Sequence, residues 1–381
     1  MDFSKKTRDE LIAICKEKGI KGYSSKKKDE IIKLLGESNA SINKTPISET
    51  PISETNEMPI SINSALKMID LFAGTGAFTL AFQQTNAVIP VFGNDMVEPS
   101  KIIYDENFNH KLTLKNLNEI KNEDIPEHDI LTGGFPCQPF SIAGLQEGFN
   151  DERSNVFWKI LSIIDHHQPK CVILENVKNL VSHDENRTFA TIKSNLENRG
   201  YHICHKVLNT AEITGIPRHR ERIYIVCIKS KNVFDKFNLD FPKVEKKKIS
   251  EILEAEVPSK YYYTDKSSTW ELVKNAVVKK DTVYQYRRVY VRENKSNECP
   301  TLTANMGEGG HNVPLVLDSN GIRKLTPREC FNFQGFPASY KLPNLSDARL
   351  YKLAGNAVSV PVVKLIANRI IPLLQEDLHS V

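Results

Sequence analysis

No stretch of about 18 consecutive apolar residues occurs in the 381-residue sequence, so no helix is expected to span a membrane. The opening residues, Met-Asp-Phe-Ser-Lys-Lys-Thr-Arg-Asp-Glu, hold no apolar core of a secretory signal, and none is expected. Cysteine is sparse and scattered. Cys15, Cys137, Cys171, Cys204, Cys227, Cys299 and Cys330 are odd in number and form no C-x-x-C pair. That excludes a disulfide mini-protein, argues against structural zinc and fits free thiols in a reducing, intracellular compartment. No metal is expected. With 40% apolar and 26% charged residues the chain is neither largely disordered nor a collagen-like fibre. Its length suits two or three domains of ~100–200 residues.

An excess of one charge sign is also lacking, except at one end. The net charge is +4, and residues 1–35 contain ten Lys and Arg against six Asp and Glu, so the remainder sums to zero. A localised basic patch is the usual footprint of a phosphate-binding surface, although a solvated pair of charged helices looks the same. Leu11, Ile12, Ile14 and Cys15 have helical spacing over residues 7–18, and Gly19 ends that helix. Ser24 and Ser25 then cap a second helix over 29–35, with Ile31, Ile32, Leu34 and Leu35 inward. Two short helices joined by an extended turn resemble the SAP module, a small DNA-binding helix pair. Residues 36–64 contain a direct repeat from Thr45 to Thr55 and are dominated by Pro, Ser, Thr and Asn. They read as a disordered linker.

From Leu66 the pattern changes. Strand-like apolar runs at 67–71, 87–93, 130–133, 171–175, 201–208 and 222–228 are spaced by helical stretches. This rhythm predicts an open α/β sheet with helices on both faces over residues 65–230, with ligands at the carboxyl ends of the strands. Residues 231–321 break the rhythm with a Lys run, three successive tyrosines (Tyr261 to Tyr263) and a basic-aromatic segment, and read as an irregular inserted domain. The α/β pattern resumes over 322–381 and ends in a helix at 361–374.

The informative residues fall at the strand ends. The first strand runs into Phe72-Ala73-Gly74-Thr75-Gly76, where glycines permit a sharp turn and close ligand approach. An ordinary tight strand-to-helix turn has the same look. The second strand ends in Asn94-Asp95, an acid placed to hold a ribose. The third runs into Gly134-Phe135-Pro136-Cys137-Gln138, where two prolines stiffen a loop around a thiol that is either a nucleophile or a buried structural cysteine. The fourth ends in Glu175-Asn176-Val177, an acid costly to bury without a partner. Arg220 and Arg222 alternate onto one face of the last strand, where they are either functional or salt-bridged scaffolding.

Together these motifs, with Arg323 to Glu329, Gln334-Gly335-Phe336-Pro337 and Gly355-Asn356-Ala357-Val358, resemble the DNA (cytosine-5)-methyltransferases of bacterial restriction–modification systems. The resemblance implies a Rossmann-like S-adenosylmethionine-dependent methyltransferase fold with an inserted target-recognition domain and a small N-terminal helical module. It makes Cys137 the nucleophile that attacks cytosine C6. Glu175 binds the base at N3 and its amino group, and Arg222 holds O2 with Arg220 beside it. S-adenosylmethionine is the implied cofactor. Phe72 faces its adenine, Ala73 to Gly76 its methionine end and Asp95 its ribose, with Met96 and Asn116 nearby. Gly134 and Pro136 line the pocket, and Asn356 and Val358 close it. Gln138, Ser141, Arg287, Arg288 and Arg292 are assigned to DNA. Arg218 stands where the family usually has Gln, Ala77 where a third Gly is common, Met96 where an aromatic often stacks and Asn116 where Asp is usual.

The expected partner is double-stranded DNA. The enzyme is expected to act as a monomer in the cytoplasm, away from membranes, with any cognate restriction endonuclease not physically bound. An RNA cytosine methyltransferase and a catalytically silent DNA-binding protein are the alternatives. The long insert speaks against the first, and the presence of Cys137 and Glu175 against the second.

Overall fold

Apart from a two-residue strand at Thr113–Leu114, the strands between Leu66 and Ile228 arise where the apolar runs lie, within two residues at either end. In chain order they are β1 (Leu66–Leu71), β2 (Val88–Asp95), β3 (Thr113–Leu114), β4 (Ile130–Gly133), β5 (Cys171–Val177), β6 (His202–Asn209) and β7 (Glu221–Ile228). The computed structural model describes residues 65–136, 155–287, 289–307 and 312–378, together with Thr7, Leu11, Lys27 and Lys28. The seven strands form one sheet in the order β3-β2-β1-β4-β5-β7-β6. Only β7 runs against the others. Its amino end therefore lies at the edge where the other strands bring their carboxyl ends, and Arg220 and Arg222 arrive there.

The helices are α1 (Ala77–Gln83), α2 (Glu98–Asn107), α3 (Asn155–His167), α4 (Arg187–Glu197), α5 (Thr210–Thr214), α6 (Lys231–Lys236), α7 (Trp270–Ala276), α8 (Pro327–Phe333), α9 (Asp347–Asn356) and α10 (Val360–Leu378). Helices cover both faces of the central sheet, which is why β1, β4, β5 and β7 are largely apolar rather than alternating, whereas the edge strand β6 leaves His205, Lys206 and Val207 exposed. Met68, Ile173 and Val226 pack on one face with α1, α2 and α8 to α10. Ile69, Leu71, Val172 and Ile225 pack on the other with α3 and α4. The span Asp347–Leu378, which holds α9 and α10, is long and apolar enough by composition to cross a membrane. Here Val362, Val363, Ile366 and Ile370 lie in the same core as Phe78 and Phe82 of α1.

The chain between α6 and α8 builds a second, antiparallel sheet from β8 (Tyr284–Tyr286), β9 (Val291–Glu293), β10 (Leu315–Leu317) and β11 (Ile322–Lys324), in the order β11-β10-β8-β9. Its small core joins Val273 and Val277 of α7 to Tyr284, Leu315 and Ile322. The insert read from sequence stops at 321, whereas Gly321 sits inside the turn from β10 to β11, so the sheet continues through Lys324. Arg323 of β11 is fully buried and donates to both carboxylate oxygens of Glu329 in α8 at 2.8 Å, while also pairing with Asp318. Glu329 accepts the backbone N–H groups of Thr326 and Glu254 as well, at 2.8 and 2.9 Å. This network fastens the small sheet to α8. In the N-terminal segment, Leu11 is buried and its N–H bonds the Thr7 carbonyl at 3.1 Å, while the remainder of the expected helix pair and linker lies outside the described residues.

Candidate active site

The chain leaves β1 through three left-handed residues, Phe72 (φ 55°), Gly74 (φ 54°) and Gly76 (φ 69°). Asp95, at the end of the neighbouring strand, braces this turn. One of its oxygens accepts the Gly74 N–H and the other the Val97 N–H, each at 2.9 Å. Burial outweighs these bonds and raises its pKa above the ordinary carboxylate value. The Gly74 position is open, since a Cβ there would find its nearest neighbours at 3.8 and 3.9 Å. At Gly76 a Cβ would fall 2.3 Å from the Phe108 ring. The Thr75 hydroxyl is buried without a hydrogen-bond partner among the described residues. An open backbone cradle, an orphaned hydroxyl and an acid at the next strand end suit a ligand that carries both a ribose and a charged amino-acid end.

Beneath the turn, Asp70 is fully buried. It accepts the Thr79 N–H at 3.2 Å, the Thr79 hydroxyl at 2.9 Å and the Thr132 hydroxyl at 3.0 Å. Desolvation still wins over the three bonds, and its pKa is raised to about 7.

On the other side of the crevice, Glu175 closes β5. Its Oε1 lies 3.2 Å from Nε of Arg222 and 3.6 Å from Nη2 of Arg220. The contacts are charged but misaligned, and this oxygen makes no hydrogen bond. Nε and Nη1 of Arg220 also lack partners among the described residues. Burial, then the neighbouring Arg222, lowers the Arg220 pKa to about 10, which leaves the group charged at neutral pH. A Cβ on Gly134 would lie 3.8 Å from Oε2 of Glu175 and 3.6 Å from Cγ2 of Val358. Residues from β4, β5, β7 and the turn between α9 and α10 thus meet in one pocket. Asn176 anchors the chain after β4 by donating to the Phe135 carbonyl at 3.0 Å.

The remaining expected residues are spread around this centre. Phe72 is half-buried, Ala73 buried, and Met96, Pro136 and Asn356 exposed. The side-chain oxygen of Asn116 accepts the Asn118 N–H at 3.1 Å and so caps its own turn. Arg287 and Arg292 line a cleft of about 570 Å³ with Tyr286, His219, Thr301 and Thr303. His219, which lines that cleft, is the neighbour in sequence of Arg220. Cys137, Gln138, Ser141 and Arg288 lie outside the described residues. Sequence reasoning missed Asp70, the Thr301 hydroxyl bonded to the His219 carbonyl at 2.7 Å, and Tyr340, whose hydroxyl bonds the Thr75 carbonyl at 2.6 Å. Tyr340 and Thr75 are far apart in the chain, and no local pattern links them.

The strand order, the one reversed strand and the glycine turn after β1 define a Rossmann-like methyltransferase fold. Residues 66–372 match the C-5 cytosine-specific DNA methylase family, and the chain belongs to it. It is a DNA methyltransferase acting at C5 of cytosine. The Type II methyltransferase M.Bsp6I of Bacillus sp. (strain RFL6) is 47% identical over 309 residues, which cover 80% of this chain and 98% of that one. M.SsoII of Shigella sonnei is 38% identical over 328 residues and 84% of each chain. The S. pombe Dnmt2 methyltransferase shares the fold, with a TM-score of 0.64 at 22% identity over 81% of this chain and 99% of that one. Enzymes of this family depend on S-adenosylmethionine and act on duplex DNA.

Proposed function

We propose that this enzyme methylates a flipped-out cytosine within a specific duplex sequence through a covalent adduct on Cys137. The observation that carries this reading is Glu175 held between two arginines beside Gly134 and Val358. Cytosine C5 is a poor nucleophile. When the Cys137 thiolate bonds to C6, the π electrons of the C5–C6 bond become available at C5. Glu175 engages N3 and the amino group, and Arg222 with Arg220 faces O2, so charge that develops on the ring meets fixed groups in a site shielded from water. S-adenosylmethionine, when bound, supplies an electrophilic methyl group. Ala73 to Gly76, Asp95 and the Thr75 hydroxyl are suited to hold it, with Phe72 and Met96 at the adenine and Val358 and Asn356 closing the pocket. After methylation the C5 proton leaves, the bond from sulfur to C6 breaks, and the thiolate is restored. The base must leave the stack first, at a few kcal/mol.

Residues 231–321, with β11 added, serve as the recognition domain, and Arg287, Arg288 and Arg292 are its candidate contacts, alongside Gln138 and Ser141 from the loop after β4. Residues 1–35 serve as an accessory DNA-binding module. The relatives named Type II methyltransferases support a role in restriction–modification or self-protection. In this reading the enzyme acts as a monomer, apart from any nuclease.

Duplex DNA containing 5-fluorocytosine tests the mechanism, because fluorine cannot leave C5 as a proton. The active enzyme should form a denaturation-resistant complex, and Cys137→Ser should form none while it still binds DNA. Turnover near the wild-type rate by Cys137→Ser would sink the assignment. Bisulfite sequencing of DNA methylated by the enzyme gives the target.

A further inference from the structure

The turn between α9 and α10, which carries Asn356 and Val358, is gripped from outside by one residue. Gln334 follows α8 and is fully buried. Its Nε2 donates to the Ala354 carbonyl before the turn, and its backbone carbonyl accepts the Val360 N–H at 3.1 Å after it. Its Oε1 accepts from Nη1 of Arg218. Arg218 lies two residues before Arg220 and four before Arg222, in the segment that enters β7. Backbone bonds zip this segment to the recognition domain: the Cys299 N–H donates to the Pro217 carbonyl at 2.7 Å, and the His219 N–H to the Cys299 carbonyl at 2.9 Å.

Arg218 is fully buried, and Nε and Nη2 find no partner among the described residues. A guanidinium held in this way, with further arginines close by, weakens the fold in isolation. Glutamine, the residue usual at this position, is neutral. The buried guanidinium and its bond to Gln334 join the strand that carries Arg220 and Arg222 to the turn that carries Asn356 and Val358.

We propose that the Arg218–Gln334 pair couples the two pockets, so that cofactor and DNA each tighten the binding of the other. Arg218 is a positioning residue and touches neither ligand. Ordering of Arg220 and Arg222 by the base fixes Arg218, which fixes Gln334 and hence both flanks of the Asn356–Val358 turn. Ordering of that turn by the cofactor acts in the reverse direction. Linkage requires the two enhancement factors to be equal. The inference rests on the assignment of Arg222 to the base and of Asn356 and Val358 to the cofactor.

The test uses full-length enzyme, S-adenosylhomocysteine as an unreactive probe, and a duplex that carries the site found by bisulfite sequencing. Each dissociation constant is measured with and without a saturating amount of the other ligand. The wild type should show equal factors in both directions, on the order of 5–150-fold. R218M should bring both factors close to one, Q334L should do the same, and the double variant should be no worse than either. R218K, which keeps a charged donor, should restore part of the coupling, and it decides the matter if R218M does not fold. A wild type without coupling overturns the proposal. So does an R218M or R218K variant that weakens both ligands, or lowers the melting temperature, with the enhancement factor unchanged. R222A and N356A serve as separate controls. If R222A leaves DNA affinity intact, or N356A leaves probe affinity intact, the underlying site assignment fails rather than the coupling.

Discussion

Asp70 makes a sign-definite prediction at the scale of a single residue. Its folded pKa of about 7 lies above the ~3.9 of an unfolded aspartate. Below pH ~4 it is protonated in both states and has no effect. Between pH ~4 and ~7 the unfolded chain releases a proton that the folded protein keeps, so its contribution falls as pH rises and levels off above pH 7. Asp70→Asn keeps an acceptor for Thr79 and Thr132 but removes the titration. Melts from pH 4 to pH 8 should show the variant gaining on the wild type across this window, by up to about 4 kcal/mol. A difference that does not change with pH would refute the assignment. Asp70 stands two residues before the Phe72–Gly76 turn, but its burial and its partners Thr79 and Thr132 were not readable in the sequence. Glu175 was, because an acid that ends an apolar strand announces its need for a partner; that the partners are Arg220 and Arg222 depends on β7 pairing with β5 across the intervening chain, which the sequence did not show.

At the scale of the element, two glycines in one turn should fail in different ways. Gly76→Ala forces a left-handed alanine and drives its Cβ to within 2.3 Å of Phe108, so it should destabilise the fold by about 2–5 kcal/mol. Gly74→Ala meets no such wall and should cost the fold only ~1–2 kcal/mol. Its methyl occupies the cradle beside Asp95, however, and should weaken cofactor binding about tenfold, or ~1.4 kcal/mol. Calorimetric titration and thermal melts on the two variants separate the effects, and equal loss of affinity in both would contradict this division. The joint between the sheets makes a further prediction. Arg323→Met leaves Glu329 buried without its cation and should cost roughly 3–5 kcal/mol by chemical denaturation. A loss below 1 kcal/mol would mean that the pair does not fasten the small sheet. Of the six strands of the large sheet that were readable, β1, β4, β5 and β7 have mostly buried faces and nearly continuous apolar runs, whereas β2 and the edge strand β6 showed only shorter apolar stretches. β3 and β11, of two and three residues, are too short to show a period, and the second of these hid the end of the inserted domain.

For the molecule as a whole, charge and chemistry are expected to separate. The net positive charge belongs to residues 1–35, outside the matched family region of 66–372. On the proposed reading of residues 36–64 as a flexible linker and 1–35 as a DNA-binding module, the ~29 residues would span roughly 30 Å root-mean-square, enough for the module to reach DNA beside the target. Removal of residues 1–60 should weaken DNA binding and flatten its salt dependence, while single-turnover rate and target sequence stay the same. Bisulfite sequencing that shows a changed target would mean that the module reads bases.

The packing of α10 against α1 also sets a timetable. About 280 residues separate the two helices, and Phe78 and Phe82 share their core with Val362, Ile366 and Ile370. A ribosome adding ~5–20 residues per second needs roughly 15–60 s to cover that distance. During this interval the remaining strands of the large sheet are made one after another, but one apolar face of α1 has no cover from α10, and until residue 340 is added the Gly74–Gly76 turn lacks the Tyr340 hydroxyl that holds it. The nascent chain is therefore a client for chaperones well before it is an enzyme. A ribosome that stalls late in the message leaves a protein with its sheet laid down and no capacity to mark DNA.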